Sequence, residues 1–187
     1  MTLTDRERIE LLHMARNAIV TAIEPGLKAD QASPLAESLH LPTGVFVSLY
    51  VKGKLRGCIG TFSEEEPLFK NVRVMAVSAA TNDSRFSPIV SNDLDHLNIE
   101  ISVLTPRIPV SDISEISIGK DGIYMERDFS RGTFLPQVAT NQQWSLEEFL
   151  GNCAKYKAGI GWDGWKTADL YRYKAIIFSS ADFPGNC

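Results

Sequence analysis

The spacing of apolar residues changes along this 187-residue chain, and each change predicts a different element. Near the start, apolar side chains recur every three or four residues, which predicts a helix from Thr4 or Asp5 to about Ile23. The pair Pro25-Gly26 ends that helix. From Gly44 to Val51 the residues are mostly β-branched or aromatic, which predicts a strand.

A hairpin and a second helix follow from the same pattern. Lys52-Gly53-Lys54 supplies a turn, so residues 55–62 are expected to return as the partner strand. Glu64-Glu65-Glu66-Pro67 favours a helix start, because carboxylates stabilise the positive end of a helix and proline suits its first turn. That helix is expected to run to about Thr81.

The second half of the chain predicts more strands. Residues 97–104 alternate apolar and polar, which indicates a strand with one buried face. Asp121-Gly122 indicates a hairpin turn between residues 113–118 and 123–126. A short strand at 131–136, a helix that starts at Ser145 and a last strand at 170–179 complete the order. Helices that interrupt hairpins predict an α+β fold with mostly antiparallel sheet.

Composition narrows the class of protein. With 44% hydrophobic and 22% charged residues, the chain resembles ordinary globular proteins and fits one domain. The net charge of −4 and the lack of a basic block disfavour nucleic acid as a partner. No apolar run reaches the ~20 residues of a membrane helix, and the charged N-terminus lacks the apolar segment of a signal peptide. A cytoplasmic location is the expectation.

Cysteine and histidine spacing excludes several metal and disulfide arrangements. The three cysteines (Cys58, Cys153 and Cys187) are too few and too scattered for a disulfide framework, and no zinc-type cluster is present. We therefore expect neither a metal nor a cofactor. Cys187 is assigned no role beyond intermolecular oxidation.

The richest chemistry lies in the stretch from Leu55 to Gly60, where Arg56 and Cys58 stand among glycines in a strand. Glycine in a strand marks a bulge or a close approach by ligand or backbone. In a regular strand Arg56 and Cys58 share a face, so Arg56 could activate Cys58 as a nucleophile or hold an anion. The alternatives are a small core cysteine and an arginine paired with an acid such as Asp83 or Glu100.

Two other segments are candidates. The polar loop Asn82-Asp83-Ser84-Arg85-Phe86 either walls a binding cleft or caps a helix end with Phe86 in the core. Gln137 could present a directional amide. Cys153 and Lys157 lie four residues apart, as a reactive pair or as a core cysteine beside a rim lysine. The aromatic-glycine stretch 159–171 either lines a groove or is an irregular segment pinned to the core.

These residues resemble a known family. Leu55-Arg56-Gly57-Cys58-Ile59-Gly60 is similar to the hexapeptide of the AMMECR family, named for the chromosomal region of Alport syndrome, mental retardation, midface hypoplasia and elliptocytosis. The resemblance continues in order through residues 83–86, 132–139, Trp144 with the following helix, 153–159 and Trp165. It covers about 44 to 165, so one domain of this type over residues 1–187 is expected. One departure is the insertion Lys155-Tyr156-Lys157, which weakens a joint role for Cys153 and Lys157.

The resemblance implies two unequal lobes with a cleft between them near the hexapeptide strand. Prokaryotic proteins of this kind occur with, or fused to, a Memo-like protein and a radical S-adenosylmethionine protein, which are therefore the expected partners. The family has no established reaction, so no catalytic role is carried over.

The functional expectation is a ligand- or partner-binding module at the hexapeptide strand. Its ligand would be a small molecule or a peptide. The alternative is an enzyme with Cys58 as the catalytic nucleophile and Arg56 as stabiliser of the thiolate or of an anionic substrate. The expected binding residues are Arg56, Gly57, Gly60, Asp83, Arg85, Phe86 and Gln137.

Overall fold

The computed structural model describes residues 2–24, 26–27, 32–63 and 65–185. Pro25 and Glu64, which mark predicted helix boundaries, and Cys187 lie outside the described residues. The chain forms two compact units: the first combines Met1–Leu104 with Ile176–Cys187, and the second is Thr105–Ala175. Each has its own hydrophobic core.

The first unit begins with helix α1 (Asp5–Ile23), as the apolar spacing predicts. Thr4 caps it: its hydroxyl accepts from the Glu7 N–H, while the Glu7 carboxylate accepts from the Thr4 N–H. This reciprocal capping box satisfies two helix-end donors. Leu11, Leu12, Ala15 and Ile19 are the buried stripe of the helix.

The sheet of the first unit is built on the predicted hairpin of β1 (Val45–Val51) and β2 (Lys54–Thr61). Lys52 and Gly53 both have positive φ, 52° and 75°, which is the turn geometry that suits the twist of a two-residue hairpin. Strand β3 (Leu97–Leu104) pairs with β1, and β3 is followed in the sheet by β8 (Ala175–Ser179). The order is β2-β1-β3-β8, so β2 is an edge strand.

One face of this sheet packs on helices and the other carries polar groups. The inward set on β1 and β3, Val45, Val47, Leu49, Ile99, Ile101 and Val103, belongs to the core. Helix α2 (Leu68–Thr81) follows the hairpin, and α1 and α2 both contribute buried residues to the same core. Ser48, Tyr50 and Glu100 occupy the alternate positions and face away from that core.

The second unit holds the other antiparallel sheet, with order β4-β7-β5-β6. Its strands are β4 (Ile108–Pro109), β5 (Gly122–Arg127), β6 (Ser130–Phe134) and β7 (Asp169–Tyr173). Helices α3 (Pro136–Asn141) and α4 (Leu146–Cys153) contribute Ala139, Phe149, Leu150 and Cys153 to its core. The two antiparallel sheets with packed helices confirm the α+β fold.

Two details differ from the sequence prediction. The Asp121-Gly122 pair does not form a hairpin turn, because the buried Asp121 carboxylate accepts from the Ser117 N–H at 2.8 Å and fixes a local loop. Strand β5 instead pairs with β6. The last predicted strand divides at Lys174 into β7 and β8 (Ala175–Ser179), which belong to different sheets.

Among the described helices, none has the length and apolar character that crossing a membrane would require.

Candidate functional site

The two hexapeptide glycines are packing positions in β2. A side chain at Gly57 would collide with the Ala79 carbonyl group, so glycine lets α2 approach the strand backbone closely. A side chain at Gly60 would collide with the ring of Phe46, its cross-strand neighbour. This contact lies on the face of the sheet opposite to the contact of Gly57 with Ala79. These contacts explain why a strand tolerates two glycines at a loss of backbone entropy.

A side-chain clamp holds the peptide group of Cys58. The Cys58 N–H donates to Oδ2 of Asp83 at 2.8 Å, and a guanidinium nitrogen of Arg85 donates to the Cys58 carbonyl at 2.8 Å. Arg85 also grips Asp83 with two parallel hydrogen bonds of 2.8 and 2.7 Å. Together Asp83 and Arg85 supply one acceptor and one donor to the free edge of β2, as a neighbouring strand would.

The two side chains of this clamp differ in their exposure to solvent. The Asp83 side chain is 5% exposed, whereas that of Arg85 is 52% exposed. Hydrogen bonds from Arg85, and then from the Cys58 N–H, hold the pKa of Asp83 well below its usual range despite burial. The same pairing raises the pKa of Arg85. Asp83 is thus a buried carboxylate that stays ionised, and the clamp persists at neutral pH.

Arg56 belongs to a different ion pair. The β1–β2 register shifts between Leu49 and Tyr50, which makes Arg56 the extra residue of a β-bulge. Its guanidinium donates to the Ser87 carbonyl at 3.4 Å and lies 3.5 Å from Asp93, with both side chains mostly buried. Arg56 and Cys58 would share a face only in a regular strand, and the bulge breaks that alternation. The acidic partner of Arg56 is Asp93 rather than Asp83 or Glu100.

The Cys58 thiol lies on the polar face of the sheet and is partly exposed. The hydroxyl of the buried Ser48, its cross-strand neighbour, lies 3.3 Å from Cys58 Sγ and donates to it. Cys58 is therefore neither packed into the apolar core nor isolated in solvent. It has one hydrogen-bonding side chain beside it and a clamped backbone beneath it.

Phe86 and Gln137 complete the sequence candidates. Phe86 is half-buried, and the Arg85 guanidinium lies over its ring at 5.3 Å from the centroid, a cation–π contact. Gln137 is in the second unit, within α3, and its buried Oε1 has no hydrogen-bond partner among the described residues. Within the first unit the structure therefore brings together Asp83, Arg85, Phe86 and the Cys58 strand.

Cys153, the thiol of the second thiol–cation pair, lies in the hydrophobic core of the second unit. Cys153 is fully buried, and burial raises the pKa of its thiol to about 12, with the charge of Lys157 opposing this shift. Lys155-Tyr156-Lys157, which the family resemblance predicts to be an insertion, falls in a π-helical turn, Ala154–Ala158, that continues α4. The neutral, buried thiol of Cys153 is a core group.

The aromatic-glycine stretch is pinned by its rings. Trp165 packs against the core of the second unit. A side chain at Gly151 would collide with the ring of Trp162, so the tryptophan lies directly on the backbone of α4. The pinned segment, rather than a groove, accounts for these contacts.

Sequence reasoning missed the polar neighbours of Cys58. Ser48, Tyr50 and Glu100 share its sheet face, and Asp93 rather than Asp83 or Glu100 pairs with Arg56. Alternation along β1 and β3 is the signal that finds the first three, because residues two apart on paired strands face the same way. No group of three metal-binding side chains (His, Cys, Asp or Glu) comes together in the described ranges.

The fold and the clamped strand define a class: α+β proteins of two units with a partly exposed cysteine held on an edge strand. Comparison with known proteins gives the family. The AMMECR1 family model matches residues 12–178, and the chain belongs to that family.

The relatives are archaeal proteins of similar length. A protein from Methanothermobacter thermautotrophicus is 39% identical over 176 residues, covering 90% of this chain and 91% of that one. One from Methanopyrus kandleri is 37% identical and covers 98% of this chain and 93% of its own. The crystal structure of an uncharacterized protein from Pyrococcus horikoshii superposes with a TM-score of 0.88 at 31% identity, covering 95% and 93%.

Proposed function

We propose that this protein is a binding module whose first unit presents the Cys58 region of β2 to a small ligand or to a segment of a partner protein. The observation that carries this proposal is the clamp. An ion pair with a carboxylate that is 5% exposed is costly to desolvate, and here its hydrogen bonds fix the peptide group of one partly exposed residue. Such rigid support of a site residue is what a binding site needs.

The charges around the site favour an uncharged ligand. Both arginines at the site are paired: Arg85 with Asp83, and Arg56 with Asp93. Glu100 adds a carboxylate on the polar face. An anion would have to compete with these carboxylates for the guanidinium groups, so a neutral molecule or an uncharged peptide segment fits better than a phosphate or carboxylate.

The test is a thermal-shift screen with Cys187→Ser protein, before and after alkylation of Cys58 by iodoacetamide. The probes are a panel of neutral metabolites, with inorganic phosphate as the anionic probe. A ligand that binds only the native protein raises the melting temperature with its concentration. We expect a neutral probe whose effect disappears after alkylation, and no effect of phosphate. Stabilisation that survives alkylation, or the absence of any stabilising probe, contradicts the proposal.

A second candidate is an enzyme with Cys58 as the nucleophile. The specific observation in its favour is the Ser48 hydroxyl 3.3 Å from Sγ, since a hydrogen bond donated to sulfur stabilises the thiolate. Arg56 contributes less to this candidate than the sequence suggests, because its contacts are with Ser87 and Asp93.

On the ground of the family resemblance, we propose a Memo-like protein and a radical S-adenosylmethionine protein as partners. The compartment that we propose is the cytoplasm. Mixing the purified chain with each candidate on a size-exclusion column tests the association. Co-elution that is lost in Arg85→Ala, but kept in a surface variant such as Lys166→Ala, would place the partner at the clamp. Separate elution of the wild-type proteins would reject the partner.

A further inference from the structure

Two tyrosines of the second sheet form the walls of a small cage. Tyr124 on β5 is directly opposite Tyr171 on β7, and their rings meet edge to face, with centroids 6.0 Å apart and planes at 64°. Both hydroxyls donate to one carboxylate: that of Tyr124 to Oε2 of Glu126 and that of Tyr171 to Oε1, each at 3.3 Å. We call these three residues, Tyr124, Tyr171 and Glu126, the tyrosine cage.

A cation of the chain itself occupies the tyrosine cage. The guanidinium carbon of Arg107 lies 4.5 Å from the ring centroid of Tyr124 and 5.8 Å from that of Tyr171. A guanidinium within about 6 Å of an aromatic centroid is attracted by the negative face of the ring, and its planar shape lets it stack there. One guanidinium therefore lies over both walls, which shows the chemistry that the cage can hold.

The charges around the tyrosine cage favour a cation. Burial, and then the charge of Glu126, raises the pKa of both phenols, so they stay protonated at neutral pH and donate to the carboxylate. Asp169 is directly opposite Glu126 on β7 and adds a second negative charge. Arg131, opposite Glu126 on β6, lies 3.8 Å from it. Without Arg107, two carboxylates would face one guanidinium, and the cage would still attract a cation.

Arg107 can leave the tyrosine cage while the walls stay in place. It is exposed and lies in residues 105–107, which join β3 to β4 outside either strand. Both tyrosines are held in paired strands, and Tyr124 is only 6% exposed. Rotation of the Arg107 side chain into solvent therefore opens the cage without breaking a hydrogen bond of the sheet.

We propose that the tyrosine cage is a binding site for the guanidinium group of an arginine from a partner protein, and that Arg107 occupies the site until this group displaces it. An arginine is the expected ligand because the group that fills the cage is itself an arginine side chain. The site lies in the second unit, and its assignment is independent of the function proposed for the Cys58 region. Since Arg107 competes, the apparent Kd of an incoming guanidinium is its intrinsic Kd divided by the fraction of protein with an open cage.

The experiment titrates the full chain, labelled with ¹³C in its five tyrosine rings, with methylguanidinium and follows the ring signals by NMR. We expect saturable shifts at Tyr124 and Tyr171 and none at the exposed Tyr156. The Kd in Arg107→Ala should be at least about tenfold lower than in the wild-type protein, because the competing side chain is gone. An Arg107→Ala protein without saturable shifts at Tyr124 and Tyr171 would overturn the site.

Arg131→Ala is the matched control, since it also removes a positive charge beside Glu126 but leaves Arg107 over the rings. Its Kd for methylguanidinium should differ from the wild-type value by less than about threefold, as expected for an exposed ion pair. Equal strengthening in Arg131→Ala and Arg107→Ala would mean that net charge alone sets the affinity, which overturns the competition by Arg107.

Two further variants, made in the Arg107→Ala protein, test the cage residues. Tyr171→Leu removes one aromatic wall and Glu126→Gln removes the carboxylate charge. Each should raise the Kd for methylguanidinium at least about fivefold. An unchanged Kd in both would overturn the tyrosine cage as the place of binding.

Two other probes of the Arg107→Ala protein test the ligand. Tetramethylammonium carries the same charge as methylguanidinium but is neither planar nor an N–H donor, so it should bind more weakly, and tighter binding would overturn the choice of a guanidinium. The peptide acetyl-Gly-Arg-Gly-amide should bind at least as tightly as methylguanidinium. A peptide that does not bind where methylguanidinium does would overturn the partner protein as the source and indicate a free guanidinium compound.

Discussion

The chain places two cysteines near cations, and the structure gives them opposite environments. Cys58 lies on the polar face of an edge strand with a hydroxyl 3.3 Å from its sulfur, while Cys153 is completely buried in the core of the second unit. For Cys58 the charged groups bind the backbone, through Asp83 and Arg85. The comparison teaches that a cation close in sequence says little about a thiol until burial and backbone contacts are known.

The largest expected contrast is the alkylation rate of the two thiols. In the Cys187→Ser protein, Cys153 should react with iodoacetamide at least about 10³-fold more slowly than Cys58, because it must wait for an opening that costs about 5 kcal/mol. Peptide mass spectrometry of a time course measures both rates together. Equal protection of the two cysteines would remove the distinction on which the site assignment stands.

Next come the two arginines of the hexapeptide region. Arg85→Ala should lower the free energy of unfolding by about 2–3 kcal/mol, since it leaves a buried carboxylate without its cation. Arg56→Ala should lower it by about 1 kcal/mol, because its ion pair is longer, at 3.5 Å. Urea unfolding measures both values. A larger loss for Arg56→Ala would mean that the main structural ion pair is the one with Asp93.

Isosteric substitution of the thiols gives a smaller contrast. Cys153→Ser should destabilise the protein by about 1–2 kcal/mol, because it buries a hydroxyl in an apolar core. Cys58→Ser should change stability by less than about 0.5 kcal/mol, since its site is partly exposed and already polar. Thermal melts of the two variants decide this. A stability loss at Cys58 that matches the loss at Cys153 would identify Cys58 as a core residue.

The smallest expected effect is a pH dependence that comes from Asp83. Its pKa is lower in the folded protein than in the unfolded chain, so its stabilisation is complete above the unfolded pKa of about 3.9 and is lost as the pH falls below it. We expect Asp83 to account for about 1 kcal/mol of the stability lost between pH 5 and pH 3. Asp83→Asn should flatten this part of the curve. An unchanged curve would mean that Asp83 is not held ionised.

Local signals in the sequence predicted most of the first unit. The cap at Thr4 and the turn at Lys52-Gly53 depend on neighbouring residues, and the structure confirms both. The predicted hairpin at Asp121-Gly122 was wrong for one nonlocal and one local reason. Gly122 packs against the ring of Tyr173, distant in sequence, and Asp121 uses its carboxylate on Ser117.

The candidate site was predictable only in parts. The hexapeptide and the loop at residues 82–86 each stand out in the sequence, but the clamp joins Asp83 to Cys58 across 25 positions. The orientation of Arg56 depends on a β-bulge, and the glycines of the strand indicate a bulge or a close approach without showing that Arg56 is the extra residue. Ser48 and Glu100 follow from alternation, once the register of three strands is known.

Asp83 and Arg85 hold the Cys58 peptide group, and the amide hydrogen exchange rate of Cys58 reports on this clamp. The alternating ladder turns the N–H groups of Cys58 and Gly60 to the same free edge, so Gly60 is the internal reference. We predict that the Cys58 amide exchanges more slowly than the Gly60 amide, and that Arg85→Ala removes much of this difference. Equal, rapid exchange of both amides in the wild-type protein would show that the clamp does not hold the Cys58 peptide group.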